Sequence, residues 1–361
     1  MENLSVRIAT FNVSMEARNY QSDSAQLNAA VLDQQLQSDS AQIANIAAII
    51  QQVRPDILLL NEFDRTANPE QTIELFQQHY LNAGLNPIEF PYRYSAPVNT
   101  GELFPMDLNG DGNISRPADT YGFGFFPGHY GMLILSRYPI ALDRVRTFAK
   151  FKWKDMPAAL APKINGKPFY SAAQWQEMRL SSKSHWDVPV LIGDREIHLL
   201  ASHPTPPVFD GAEDRNGRRN HDEIRLWFDY ISGQADYLYD DVGERGSLTE
   251  GQSFVIAGDL NASATEGDGH RVIMQQLLSH PKIQDPAPTS VGGEQARPDQ
   301  QGSEYHTAAW GMRADYVLPS SDLSIVGSGV FWPALDDAQH ELVKSRRASS
   351  DHRLVWVDIS L

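Results

Sequence analysis

Residues Phe254 to Ala262 read FVIAGDLNA. This apolar run, rich in β-branched residues, predicts a buried strand, and Gly258 breaks it just before two oxygen-bearing side chains, Asp259 and Asn261. Strand alternation points Asp259 and Asn261 the same way, a placement from which both could face one phosphate and one metal. Gly, Asp and Asn are also ordinary turn formers, and taken alone the stretch reads equally well as a turn. What constrains the chain is that other strands end in the same manner.

In chain order, VRIATFN (Val6 to Asn12) alternates and predicts an early strand ending in Asn12. DSAQIANIAAIIQQV places Ile43, Ile46, Ala47 and Ile50 on one helical face, with Pro55 beyond, which predicts a helix from about Ser40 to Val53. DILLLNE (Asp56 to Glu62) is a near-continuous apolar run ending in an acid, the pattern of a strand covered on both faces. A helix over about Pro69 to Leu81 and a strand at GMLILS (Gly131 to Ser136) follow. Trp186 to Ile192 and Glu196 to Ser202 pair about the Gly193-Asp194 turn, and the second ends in His203. The polar stretch 210–222 precedes a helix predicted over Ile224 to Leu238, and another helix runs from Asp268 to about His280. Ala314 to Leu318 is a short strand carrying Asp315, and Ser350-Asp351-His352 leads into a last alternating strand.

The chain has 361 residues, with 46 acidic against 30 basic residues and a formal charge of −16. That length allows one large or two ordinary domains. Such a net charge opposes avid binding of polyanions such as nucleic acid, and the acid surplus is compatible with divalent cations. No window approaches the ~20 apolar residues of a membrane span. The absence of cysteine excludes disulfides, thiolate zinc sites and cysteine nucleophiles. The first strand begins near the N-terminus and leaves no room for a signal peptide, so an exported protein would have lost one.

Two polar segments invite ligands. DLNGDGNIS (Asp107 to Ser115) sets Asp107, Asn109, Asp111, Asn113 and Ser115 at positions 1, 3, 5, 7 and 9 of a calcium-loop spacing, with Gly112 at position 6. Ala118 stands at position 12 where a bidentate acid is usual, leaving Asp119 or a water to substitute. Segment 210–222 carries Arg215, Arg218 and Arg219, a local basic cluster suited to an anionic group, and Arg179 lies in the less readable stretch 150–184 with Lys183.

The motifs TFN, NE, LSRYP, SH, GDLN, RADYVL and SDH occur in this order across almost the whole chain, which thereby resembles the endonuclease/exonuclease/phosphatase superfamily, with the deoxyribonuclease I-like fold. The DLNGDG insertion before FGFFPGHYGM is similar to a bacterial, usually exported branch, which implies a periplasmic or secreted location. The resemblance implies an α/β fold, a four-layered α/β sandwich of two packed mixed β-sheets, as a single domain over 1–361 with insertions at about 84–128 and 150–184. It implies a metal site at Glu62, Asn12 and Asp351, with Asp259 orienting or deprotonating the attacking water and Asn261 binding phosphate. His352, held by Asp315, would donate to a phosphate oxygen, and His203 would contact that phosphate from the other side.

Elementary chemistry agrees with those roles. Oxygen donors without thiolates suit Mg²⁺ or Mn²⁺, and an anionic phosphoester needs a cation, a positioned water and donors that strengthen as charge builds. The expectation is a monomeric, divalent-metal-dependent phosphoester hydrolase, phosphodiesterase or phosphomonoesterase. The insertions wall its site into a pocket for a small or lipid-derived substrate, and a structural Ca²⁺ sits in the Asp107 loop. The alternatives are a nonspecific nuclease and an exported calcium-binding protein without catalysis.

Overall fold

The computed structural model describes residues 4–361. Its strands are β1 Ser5–Met15, β2 Ile57–Phe63, β3 Tyr92–Tyr94, β4 Met132–Ser136, β5 Arg146–Thr147, β6 Lys163–Ile164, β7 Lys167–Pro168, β8 His185–Ile192, β9 Arg195–Ser202, β10 Ser253–Asp259, β11 Asp315–Pro319, β12 Ser324–Val330 and β13 Val355–Ser360. Its α-helices are α1 Ala17–Tyr20, α2 Val31–Leu36, α3 Ala41–Val53, α4 Pro69–Phe76, α5 Ala172–Glu177, α6 Arg215–Ser232, α7 Arg271–Leu278 and α8 Val291–Ala296.

Eleven of the strands form two mixed sheets, one in the order β12-β13-β1-β2-β4-β3 and one in the order β11-β10-β9-β8-β5, while β6 and β7 make a small separate hairpin. Parallel pairing is confined to the centre of each sheet, β1 with β2 and β9 with β10. The remaining contacts are antiparallel, as β10 with β11 and β1 with β13.

Strand alternation builds the layers. On β10, Val255 and Ala257 join the core shared with the β1 sheet, whereas Phe254 and Ile256 join the core under α6 and α7. The same inter-sheet core takes Ile43, Ile46 and Ile50 from α3 on the far side of the β1 sheet. The result is the expected four-layered sandwich: helices, sheet, sheet, helices. Each such fully buried aliphatic side chain contributes about 1.5–3 kcal/mol relative to exposure. Among the described residues no helix is long and apolar enough to cross a membrane.

The predicted strands and the helix over Ser40 to Val53 are present. Three readings are corrected. The helix predicted from Ile224 begins nine residues earlier, at Arg215, and ends at left-handed Gly233. Its first turns escape hydrophobic periodicity because they bury polar groups: the Asn220 amide donates to Thr205 O and Leu260 O, and Glu223 accepts from Ser182 and Thr205 N–H groups. The helix from Pro69 loosens into a π turn over Gln77–Leu81. Finally β3, β5 and β12 are strands the pattern does not reveal, two of them only two or three residues long and β12 carrying two glycines.

Candidate active site

Both sheets present the ends of their central strands at one edge. In the first sheet Asn12 pairs in register with Asn61 on parallel β1 and β2. In the second, Asp259 at the end of β10 lies opposite Asp315 at the start of antiparallel β11. Gly258 allows the close approach of β10 to β9. It sits at φ +148, and a Cβ there would lie 2.0 Å from Ser202 O, so no other residue fits without moving the backbone. Asn61 ties the sheets together, its side-chain oxygen accepting from Asp259 N at 3.0 Å and its amide donating to Ser202 O at 3.4 Å.

The centre of the site is the buried carboxylate of Asp259. Its Oδ2 accepts from Asn12 Nδ2 at 3.0 Å and lies 3.3 Å from His203 Nε2 and 3.5 Å from His352 Nε2. Its Oδ1 accepts from Asn261 N at 2.9 Å. Burial pushes the Asp259 carboxyl up, but the His352 and His203 imidazoles and the Asn12 amide outweigh that and hold it well below the usual carboxylate range. Asp259 is therefore ionised at neutral pH.

His352 is gripped from both ring nitrogens. Its Nδ1 lies 2.9 Å from Asp315 Oδ2, and Thr307 Oγ1 donates to the same Asp315 oxygen at 2.7 Å. Burial alone would lower the His352 pKa, yet Asp315 and Asp259 raise it to about 10, which makes the ring an imidazolium at neutral pH. Burial raises Asp315 to about 6, still ionised opposite that ring. His203 differs: burial first, then the charge of Lys183, push it down to about 4, so it is neutral. Its Nδ1 is buried without a protein partner. Among the described residues the one group of three acid or imidazole ligands within 4.8 Å is Asp259, Asp315 and His352. Its internal hydrogen bonds mark it as a charge-holding relay, distinct from the residues expected to hold metal.

Those expected metal residues lie on the first sheet's side. Glu62 stands at φ +56, a conformation that costs a non-glycine residue about 1–3 kcal/mol and persists where surrounding structure enforces it. Glu62 and Asp351 both line a cavity of about 540 Å³, with Asp259, Asn261, His352 and Arg346. Arg346 gathers three carboxylates: it lies 3.2 Å from Glu16 Oε1, 3.3 Å from Asp351 Oδ2 and 3.7 Å from Glu62 Oε2. Burial, then the charge of Glu16, raise the Glu62 pKa to about 7, outweighing the pull of the Arg346 guanidinium. An all-oxygen donor set with surplus negative charge fits a hard divalent cation. Asn12 sits deeper, with its Oδ1 accepting from Ser14 N, and orients Asp259 directly.

Asn261 reaches the same cavity as Asp259, but alternation is not the reason. The strand ends at Asp259, and Asn261 adopts φ +51 with its amide donating to Pro204 O. The four arginines expected at the substrate do not line the cavity. Arg219 is buried and donates to the carbonyls of Leu180, Tyr121, Arg179 and Ser181. Arg218 pairs with Asp214, Arg215 with Glu213, and Arg179 donates to Asn99 and stacks on Tyr121. These arginines brace neighbouring loops and helices, and among the described residues the arginine that lines the cavity is Arg346.

Sequence reasoning missed Glu16 and Arg346 and gave Lys183 no role. Glu16 follows the true end of β1, three residues past the expected one, so the strand-end rule would have found it. Lys183 is buried two residues before β8, its ammonium acting on Glu223, Glu62 and Asp259, and nothing in RLSSKSHW singles it out. A separate cavity of about 440 Å³, lined by Arg18, Tyr20, Gln42 and Arg347, holds none of the strand-end set.

In the Asp107 loop, Asp107 accepts from Gly110 N at 2.6 Å and Gly112 N at 2.8 Å. Asp119 accepts from Leu108 N and Ser115 N, one on each oxygen, and so braces the loop.

Comparison with known proteins agrees with this architecture. A model described as "Endonuclease/Exonuclease/phosphatase family" matches residues 9–352. Among solved structures, an endonuclease/exonuclease/phosphatase from Beutenbergia cavernae superposes with a TM-score of 0.55 at 17% identity, over 99% of this chain and 72% of that one. A family protein from Leptotrichia buccalis gives 0.48 at 14%, over 99% and 100%. The human Nocturnin catalytic domain with bound sulfate gives 0.49 at 12%, over 99% and 96%. No curated protein matches the chain in sequence.

Proposed function

Because the chain belongs to the endonuclease/exonuclease/phosphatase family, an enzyme family of phosphoester hydrolases, we propose that its cavity hydrolyses a small or lipid-derived phosphoester with the aid of Mg²⁺ or Mn²⁺. The observation that carries the reading is the imidazolium of His352 held between Asp315 and Asp259 beside the acids Glu62, Asp351 and Glu16.

Glu62 and Asp351, with Glu16 beside them, would hold the divalent ion, which when bound supplies positive charge to the phosphoryl oxygens. Asp259 accepts a hydrogen bond from the attacking water and aligns it in line with the scissile bond. With so many donors it is a weak base in the free protein, and it becomes a stronger one as His352 and His203 turn their Nε2 donors to phosphate oxygens. His352 then faces the oxygens on which charge builds, with its proton retained by Asp315. Asn261 borders the same space. Lys183 is buried on the second sheet's side, where burial lowers its pKa against the pull of Glu223, Glu62 and Asp259.

A cavity of about 540 Å³ has the capacity for one small ligand. Cleavage of a phosphodiester or of a phosphomonoester both fit that space. The Asp107 loop is the place for a structural Ca²⁺, and a periplasmic or secreted location accords with such a loop. The test is hydrolysis of bis-p-nitrophenyl phosphate, p-nitrophenyl phosphate, phospholipids and plasmid DNA with Mg²⁺ or Mn²⁺. Metal-dependent release from a small ester is expected; robust plasmid nicking in its place would establish the nuclease reading, and no turnover of any ester would refute both.

A further inference from the structure

The active-site cavity carries two apolar stretches in its lining. They comprise Pro206, Pro207, Val208 and Phe209 on one stretch, and Trp310 and Met312 on another. Phe209 is 87% exposed and Trp310 44% exposed, a large apolar area to leave in water. Phe209 also adopts φ +65, which a bulky side chain takes only under constraint.

The constraint is visible. Asn216 Nδ2 donates to Val208 O at 2.7 Å, Arg215 Nη2 donates to Phe209 O at 3.2 Å, and Asn216 N takes Asp210 Oδ2 at 2.7 Å. The start of α6 thus clamps the backbone of the loop that carries the exposed Phe209. On the other side the Trp310 ring meets His352 edge to face, with centroids 4.8 Å apart, so the apolar surface adjoins the His352 ring directly. The remaining charged lining, Glu62, Asp268, Asp351 and Arg346, is mostly acidic, and with the net charge of −16 it disfavours a second anionic group.

We propose that Phe209, Trp310 and the two prolines hold an uncharged aromatic ring, the organic group of the phosphoester whose phosphate meets His352. This names the substrate class of the site and rests on the phosphoesterase reading above. Flat rings on a preorganised wall favour a planar group over a flexible chain, because no ordering of the loop is needed on binding.

Phosphonates, whose P–C bond resists hydrolysis, separate the two ideas by titration calorimetry in the presence of Mg²⁺. Phenylphosphonate is expected to bind at least ~10-fold tighter than methylphosphonate. In Phe209→Gly, where glycine accepts the left-handed backbone, that preference should shrink to within about threefold with methylphosphonate affinity unchanged. Equal binding of the two ligands by the wild type would overturn the aromatic site while leaving the phosphoesterase reading intact. Tighter binding of hexylphosphonate or of aminoethylphosphonate than of phenylphosphonate would overturn it in favour of an acyl chain or a cationic headgroup. Binding of no phosphonate, together with no ester hydrolysis, would overturn the phosphoesterase reading itself.

Discussion

Arg346 Nη1 donates to Asp351 Oδ2 at 3.3 Å, which puts a guanidinium against one of the carboxylates expected to hold a metal ion. The same guanidinium serves Glu16 and Glu62. It acts as an internal counter-cation, and like charges compete for a site by Coulomb repulsion. Arg346→Met is therefore expected to tighten Mg²⁺ binding roughly tenfold and to lower the melting temperature in chelator, since Glu16, Glu62 and Asp351 then lose the guanidinium they share. Calorimetry and melting curves measure both; weaker Mg²⁺ binding in the variant would mean that Arg346 supports the ion instead.

Asp259→Ala and His352→Ala remove the water-orienting carboxylate and the charged donor. Each should lower phosphoester turnover by at least about 100-fold, as loss of a positioned base or a charge-stabilising donor does. Stopped assays with purified protein, checked for folding by circular dichroism, decide it. Near-normal turnover in either variant would remove that residue from the mechanism.

The pH dependence has a definite sign. Burial and Glu16 raise the Glu62 pKa to about 7, so below that value a proton competes with the metal. Mg²⁺ affinity should rise with pH by up to ~10-fold per unit through the approach to neutrality and then level off. At the other end, His352 loses its proton only near pH 10, where turnover should fall. A Mg²⁺ affinity independent of pH across that range would contradict the assignment of Glu62 as ligand.

Much of this site was legible because chemistry residues sit at strand ends, and strand ends can be found from apolar runs. Asp259, Asp315 and His203 all follow that rule. Glu16 was lost through a misplaced boundary, as β1 runs on to Met15 beyond the polar Asn12 and Ser14. Arg215 to Arg219 misled because a cluster of cations looks the same whether it awaits an anion or serves carbonyls. For Arg219, burial decides, and burial is a property of the packed fold. Arg346 and Lys183 reach the centre from loops, where no periodicity reports direction.

In the Asp107 loop the carboxylates of Asp107 and Asp111 accept from the loop's own N–H groups. Calcium is expected to raise the melting temperature by several degrees at concentrations far above Kd, through preferential binding to the folded state. Asp107→Ala should abolish the shift. Superimposable melting curves with calcium and with chelator would exclude the ion from this loop.

Asn61 bonds across the seam between the two sheets, and the reacting groups divide along that seam. Glu62 and Asp351 belong to one side, Asp259, Asp315 and His203 to the other. A half-assembled chain holds either the acids that collect a cation or the carboxylates that charge an imidazole, but not both. On the proposed mechanism, hydrolytic competence thus requires that the two sheets close on each other.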